Sequence, residues 1–133
     1  MHIRSLWHAT LLALAFLWTA APASAQDGLP PEAAQWPQQC EAGDGVSCFF
    51  HAMRNVYGDA TPVDFTKAYE YFVKGCDLGQ GDACGWVGEY TFFGYSGVPK
   101  DEDRGFALMN RACVDGLSRS CAKVASLLYQ GNP

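Results

Sequence analysis

Six cysteines, grouped in three pairs of identical spacing, are the feature that most constrains this chain. The pairs are "CEAGDGVSC" (40–48), "CDLGQGDAC" (76–84) and "CVDGLSRSC" (113–121), and each encloses a glycine. Residues eight apart in one straight helix lie about 12 Å apart along its axis. A disulfide needs a Cα–Cα separation of about 4.4–6.8 Å. Each pair can therefore form a bridge only if the chain turns between its cysteines, and glycine readily allows such a turn.

Residues 1–25 have the three-part pattern of a secretory signal peptide. The basic start "MHIR" precedes the apolar run "ATLLALAFLWTAA", and the small residues "ASA" (23–25) precede Gln26. The apolar run is too short and wrongly flanked for a membrane-spanning helix. We expect cleavage before Gln26, a periplasmic or secreted protein, and no membrane span once the signal is removed. Export also favours disulfides, because they persist in oxidising compartments.

The charge balance of residues 26–133 limits the class of partner. Arg4 is the only one of the nine Lys and Arg residues before Gln26, so eight basic and fourteen acidic side chains remain, a net charge of −6. A surface this acidic repels phosphate backbones and anionic lipid headgroups. We therefore expect neither nucleic acid nor a membrane surface as a partner.

The cysteine pairs mark an internal repeat. Their first cysteines are 36 and then 37 residues apart, and glycine always stands ten residues after the second cysteine, at Gly58, Gly94 and Gly131. A period in the thirties is typical of stacked helical hairpins. We predict an all-α protein, an α/α superhelix of about 2.5 helical hairpins. An N-terminal cap (26–39) precedes a repeat domain (40–133), with repeats at about 40–75 and 76–112 and a partial repeat at 113–133.

Each repeat is expected to contain two helices. The first helices are predicted at 47–57, 82–93 and 118–130, each closed by glycine. The second helices are predicted at 64–78 and 101–115, each opened by an aspartate suited to a helix N-terminus. Pro37 should interrupt any helix before Cys40.

Other uses of paired cysteines fit this pattern poorly. Zinc ligands are usually paired two to four residues apart, and His51 is the only histidine after residue 25. No CxxC redox or CxxCH haem motif occurs. The acidic run "DED" (101–103) fits a helix start better than a metal site, and no metal or cofactor is expected. Six cysteines allow fifteen pairings; the repeat favours Cys40–Cys48, Cys76–Cys84 and Cys113–Cys121.

The repeats resemble a known family. The segments "KAYEYFVKGCDLGQGDACGWVGEY" and "YSGVPKDEDRGFALMNRACVDGLSRSC" are similar to the Sel-1-like repeat, a relative of the tetratricopeptide repeat. The paired cysteines are similar to those of its exported, Helicobacter cysteine-rich protein-like subgroup. The resemblance implies a right-handed superhelix of antiparallel helix pairs, a concave face that binds a protein or peptide, and, for some relatives, weak beta-lactamase or penicillin-binding activity.

The resemblance therefore suggests two possible functions. The first is a protein- or peptide-binding module acting through its concave surface. The family's groove-facing positions, carried over to this chain, are Phe49, Met53, Glu89, Phe92, Ser126 and Tyr129. The alternative is a weak beta-lactam hydrolase, and a third possibility is a purely structural protein with no ligand.

The alternative requires a nucleophile, and the chain has one S-x-x-K motif, "SCAK" at 120–123. In serine beta-lactamases of this type the lysine helps to deprotonate the serine. However, neither "SDN" nor "KTG" is present. Serine is also favoured at helix starts, where Ser120 lies. We therefore expect Ser120 and Lys123 not to be catalytic.

His51 and Asn55, one helical turn apart, make a polar spot on an otherwise apolar helix face. Val87 and Val124 occupy the positions equivalent to His51 in the other repeats. We favour a histidine with satisfied hydrogen bonds near the exposed first hairpin; the other interpretation is a binding or pH-sensitive site.

The last predicted helix, "CAKVASLLYQG", has an apolar face where terminal repeats normally carry a polar one. Its residues are Val124, Leu127, Leu128 and Tyr129. We expect this face either to pack tightly against the second repeat or to mediate self-association.

Overall fold

The computed structural model describes residues 31–131, and the predicted signal peptide and residues 26–30 lie outside this range. Within it the regular structure is entirely helical, which confirms the all-α class. Two short 3-10 turns, Pro31–Ala34 and Tyr95–Gly97, accompany six α-helices. The helices are α1 (Trp36–Glu41), α2 (Gly45–Tyr57), α3 (Phe65–Asp77), α4 (Gly81–Phe93), α5 (Glu102–Val114) and α6 (Ser118–Tyr129).

Helices that follow one another in sequence are neighbours in space. α2 packs along α3 and α4 along α5, which gives two hairpins, while α1 and α6 flank them. Asp64 and Asp101 cap α3 and α5 as the sequence predicts, each accepting a hydrogen bond from a backbone N–H in the first turn, at 2.9 Å. None of the described helices is long and apolar enough to cross a membrane.

Three turns join α1 to α2, α3 to α4 and α5 to α6, and we call them the seams. Each contains a left-handed glycine, and the third differs in having no side-chain cap at the start of its second helix. In the second seam, Gly79 has a φ of +84°, and the Gln80 N–H donates back to the Gly75 carbonyl at 2.9 Å. The Gln80 side chain then accepts from the Ala83 N–H and so caps α4. One residue thus closes a helix and opens the next, which brings the two flanking cysteines together.

The disulfides close the seams. Cys40–Cys48, Cys76–Cys84 and Cys113–Cys121 have Cα–Cα distances of 4.6, 4.5 and 4.5 Å. This is the pairing that the repeat favours. Each bridge links the end of one helix to the start of the next: the second joins the two hairpins, and the first and third attach α1 and α6 to them.

The N-terminal cap differs from expectation at Pro37. The proline does not interrupt a helix before Cys40, because it lies in the first turn of α1. First-turn N–H groups have no acceptor within the helix, so a proline there removes no hydrogen bond.

The two hairpins differ in how closely their helices approach. In the second hairpin, a Cβ on Gly88 would lie 2.8 Å from the Gly105 carbonyl oxygen, and a Cβ on Gly105 would clash with the backbone of Phe92. In the first hairpin, fully buried Ala52 and Ala68 stand at the equivalent positions. The Gly–Gly pair therefore lets α4 and α5 pack backbone against backbone.

Removing a bridge should have different consequences in the middle and at the end of the chain. In the Cys76→Ala/Cys84→Ala variant we expect the free energy of unfolding, measured by urea denaturation, to fall by about 2.5 kcal/mol. In Cys113→Ala/Cys121→Ala we expect local release of α6, because α6 packs mainly on α5 and is the last helix that the structure describes. Amide exchange should then accelerate in 118–129 and stay unchanged in α2 and α3. Uniform acceleration in all helices would contradict this account.

Candidate functional site

An apolar groove of about 350 Å³ opens on the surface of the described residues. It lies where the first hairpin meets α4 and the 3-10 turn at 95–97. Its lining residues are Val56 of α2, Phe65 of α3, Trp86 and Tyr90 of α4, and Tyr95 and Ser96 of the turn. None of these side chains is charged, so the groove suits an apolar ligand group.

Aromatic stacking fixes the walls of the groove. The Trp86 ring lies parallel to Phe72, with centroids 5.1 Å apart, and the Arg119 guanidinium carbon lies 3.8 Å from the centroid of the Trp86 ring. Tyr90 stacks on Tyr69 at 5.4 Å. Each ring is held by partners outside the groove, so the recess exists before any ligand binds.

The Phe72–Trp86 stack depends on the second seam. Phe72 stands four residues before Cys76 and Trp86 two residues after Cys84. The first seam places Trp36 and Phe50 at the same offsets, and these rings also stack at 5.1 Å. A disulfide with an aromatic pair beside it is therefore a repeated unit, and in the second seam it builds a wall of the groove.

The 3-10 turn forms the rim. Ser96 has a φ of +55°, a left-handed conformation that is uncommon for serine. The turn places Tyr95 against Phe93, with stacked rings 5.2 Å apart, and edge-on to Tyr90 at 5.8 Å. Phe65 and Tyr95 remain about half exposed, at 49% and 46%, so they are the aromatic groove residues most accessible to a ligand.

Tyr90 supplies a polar atom without a charge. Burial, reinforced by the neighbouring Glu89 carboxylate, raises the pKa of Tyr90 to about 12. The phenol, which is protonated at neutral pH even at an ordinary tyrosine pKa of about 10, also stays protonated under more alkaline conditions and can donate a hydrogen bond.

The six groove residues inferred from the family resemblance do not meet in this recess. Phe49 and Met53 are half-buried against the first core cluster, and Ser126 and Tyr129 lie exposed on α6. Phe92 is buried with Met109, Val124 and Leu127, because α5 and α6 cover it. It offers no surface to a ligand.

Glu89, the remaining inferred groove residue, joins an ion-pair cluster. Its two carboxylate oxygens bind Arg119 Nη2 at 2.7 Å and Lys123 Nζ at 2.9 Å, and its side chain is only 12% exposed. The cluster connects α4 to α6, and Arg119 also covers one face of Trp86. Glu89 is therefore placed to hold α6 and the groove wall rather than a ligand.

The S-x-x-K residues are poorly arranged for nucleophilic catalysis. The Lys123 ammonium pairs with the Glu89 carboxylate at 2.9 Å, whereas the mechanism needs a lysine directed at the serine hydroxyl. Ser120 is buried so close to Gly85 that a Cβ there would clash with its Oγ. The cavity beside them holds about 10 Å³, at the lower limit for a single water molecule.

We accordingly expect the purified, oxidised protein not to hydrolyse a chromogenic cephalosporin above the buffer rate. The measurement is absorbance over hours at high protein concentration, with Ser120→Ala in parallel. Turnover that is lost in Ser120→Ala would show that the buried serine is reached after all.

The structure contradicts the interpretation that we favoured for His51, a histidine with satisfied hydrogen bonds near the exposed first hairpin. It is 6% exposed, packed edge-on against Tyr71 with ring centroids 4.3 Å apart, and its Nδ1 has no hydrogen-bond partner among the described residues. Asn55 does not satisfy it, because the Asn55 amide donates to the His51 backbone carbonyl at 2.8 Å. Burial, and then the positive charges of Arg54 and Lys67, lower the pKa of His51.

This environment predicts a loss of stability on mild acidification. Since the pKa of His51 is lower in the folded than in the unfolded chain, the unfolded state binds the proton first as the pH falls below about 6.5. The midpoint of thermal unfolding should therefore decrease between pH 7.5 and pH 5. In His51→Leu the decrease should be smaller, because an apolar side chain has no proton to take up. Equal decreases in both proteins would contradict this role.

Across residues 31–131, no three His, Cys, Asp or Glu side chains are grouped so that they could hold a metal ion.

Comparison with known proteins places the chain in a family. The Sel1 repeat model matches residues 45–80 and 81–114, which together make up more than half of the chain. The two matches correspond to the α2–α3 and α4–α5 hairpins. No curated protein sequence matches the chain. The chain therefore belongs to the Sel1 repeat family.

Proposed function

We propose that this chain is an exported, disulfide-stapled module that binds a protein or peptide, with the groove around Trp86, Tyr90 and Tyr95 as its principal contact site. Sel1 repeats commonly mediate protein–protein interaction, and three intrachain disulfides fit an exported protein. The observation that carries the proposal is the groove itself: an apolar recess whose aromatic walls are already in place.

The groove favours an apolar side chain as the ligand's anchor. Its volume of about 350 Å³ falls within the typical range of about 300–1,000 Å³ for binding pockets, and no charged side chain lines it. A leucine, phenylalanine or tryptophan of the partner could lie between Phe65 and Tyr95. Ser96 and the tyrosine hydroxyls supply hydrogen bonds at the margin. Aromatic residues in such sites commonly dominate binding energy.

The disulfides favour ligand binding because they hold the groove in its binding conformation before a partner arrives. Because the second seam holds the Phe72–Trp86 stack, the protein does not have to order this wall when a partner arrives. A preformed site spares much of the conformational entropy that binding otherwise costs. We therefore infer that the oxidised form is the binding-competent one.

The hydrolase alternative gains no support from this geometry, since the only S-x-x-K serine is buried and its lysine is ion-paired. Self-association through α6 would be compatible with ligand binding, because α6 contributes none of the residues that line the groove.

The test is a selection of displayed random peptides against the oxidised protein, followed by affinity measurements with purified variants. We expect selected peptides to share a large apolar residue. Phe65→Ala and Tyr95→Ala should weaken their binding at least about tenfold, in keeping with loss of one anchor contact. Both residues are half exposed, so the fold should survive both changes.

Tyr57→Ala is the matched control, because Tyr57 is an exposed aromatic residue outside the groove. It should leave affinity unchanged. Selected peptides that bind Phe65→Ala and Tyr95→Ala as tightly as the unsubstituted protein would overturn the assignment of this groove.

A further inference from the structure

The polar side chains that line the groove are all able to donate hydrogen bonds. They are the hydroxyls of Tyr90, Tyr95 and Ser96 and the indole of Trp86. An indole N–H can only donate, whereas a hydroxyl can donate or accept. No lining side chain carries a carboxylate or an amide carbonyl. The groove therefore suits a ligand that brings hydrogen-bond acceptors.

The Tyr90 hydroxyl is a donor without a partner. Tyr90 is only 3% exposed, and within residues 31–131 its hydroxyl makes no hydrogen bond. In that range the unpaired side-chain polar atoms sealed from solvent are His51 Nδ1 and Thr61 Oγ1. The Tyr90 oxygen is not one of them, so the small exposed part of this residue includes its hydroxyl, and it opens into the groove that Tyr90 lines. A buried ring with an unpaired polar tip indicates a ligand that supplies the acceptor.

Trp86 can offer only its edge to a ligand. Its ring lies parallel to Phe72, with centroids 5.1 Å apart, and the Arg119 guanidinium carbon lies 3.8 Å from the Trp86 centroid. Two groups this close to one ring cannot share a face, so both faces of Trp86 are covered. The edge of an aromatic ring carries partial positive charge. This wall of the groove therefore also favours electron-rich acceptor atoms.

The charges around the groove favour a neutral ligand. A cation would approach the Arg119 guanidinium, and the covered faces of Trp86 remove the surface on which a cation would bind. An anion would approach the Glu89 carboxylate: burial and then this carboxylate raise the pKa of Tyr90 to about 12, so its negative field already reaches the phenol. The groove thus complements a neutral acceptor. In a protein ligand the neutral acceptor present at every residue is the backbone carbonyl.

The conformation of the ligand follows from the need for an unpaired carbonyl. Within a helix the carbonyls are already bonded to N–H groups of the same helix. A polyproline II segment has no internal hydrogen bonds, so its carbonyls remain free to accept. Proline also lacks an N–H, so it brings no donor into a groove whose side chains donate. Aromatic-lined grooves are a recurring site for such segments.

We propose that the groove binds a proline-containing segment in the polyproline II conformation, and that the Tyr90 hydroxyl donates to one of its backbone carbonyls. Proline neighbours the apolar anchor residue, which lies between Phe65 and Tyr95. This inference rests on the proposed function, since it specifies the ligand of the same groove. Because such a segment is already extended in the free partner, little conformational entropy is lost on binding.

The test compares matched peptides on the oxidised protein. A displayed library with prolines fixed on both sides of a varied position is selected, and the affinities of selected peptides are measured by isothermal titration calorimetry. Alanine in place of these prolines should weaken binding about fivefold or more, because it adds an unpaired N–H and loosens the extended conformation. N-methylalanine in the same places should retain most of the affinity, because its tertiary amide also lacks the N–H.

A variant of the protein tests the donor. Tyr90→Phe should weaken binding of the proline peptides about fivefold, as expected for the loss of one hydrogen bond. Its thermal unfolding should stay unchanged, because the hydroxyl has no partner within residues 31–131. Tyr57→Phe is the matched control, the same change at an exposed tyrosine outside the groove, and should bind normally. Should Tyr90→Phe disturb the fold, the alanine and N-methylalanine peptides still decide, since they use the unsubstituted protein.

The outcomes separate this inference from the groove itself. Alanine peptides that bind as tightly as proline peptides, a proline library that yields no binder, or an unchanged affinity in folded Tyr90→Phe would each refute the polyproline II ligand. The groove assignment would still stand if Phe65→Ala and Tyr95→Ala weakened the peptides selected from random sequences. Loss of that effect in the two alanine variants would refute the groove assignment instead.

Discussion

The seam is the constraint on which the rest of this structure depends. At each seam a left-handed glycine ends one helix, the next residue starts another, and a disulfide fixes the two ends about 4.5 Å apart. About a hundred described residues can bury only a modest core. Three short covalent loops offset this by restricting the unfolded chain. The second seam joins the two hairpins, and the first and third attach α1 and α6, so the seams fix an arrangement that a short solenoid would otherwise hold only by packing.

The candidate binding site follows from that constraint. The aromatic residues four before and two after a seam's cysteines stack on each other in the first two seams. The third seam has Met109 and Lys123 at those positions. The lysine there joins Arg119 on Glu89 rather than stacking. The same framework thus carries an aromatic stack in each of the first two seams and an ion-pair cluster in the third. That cluster supports Trp86 from behind through Arg119.

His51 is an energetically unfavourable buried group that the disulfide-linked fold accommodates. In a position where the other repeats have valine, it buries an imidazole whose Nδ1 has no partner among residues 31–131. Such a group lowers stability, more so when protonated. His51 lies in α2, three residues after the bridged Cys48. The first seam therefore holds α2 in position even though burial of this imidazole lowers stability. The sequence marked His51 as unusual, but burial and the missing partner are visible only in the structure.

Much of the fold was readable from the sequence, because the period, the glycines and the cysteine spacing are local signals that all indicate the same hairpins. The pairing of the cysteines and the helices, to within a few residues, followed from them. The candidate binding groove could not be predicted from these local signals. Val56, Phe92 and Tyr129 occupy the same position of the repeat, yet they lie in the groove, in the core and in solvent. Sequence periodicity determined which face of each helix these residues share. What covers that face was decided only by the neighbouring helices, since burial depends on residues that are distant in the chain.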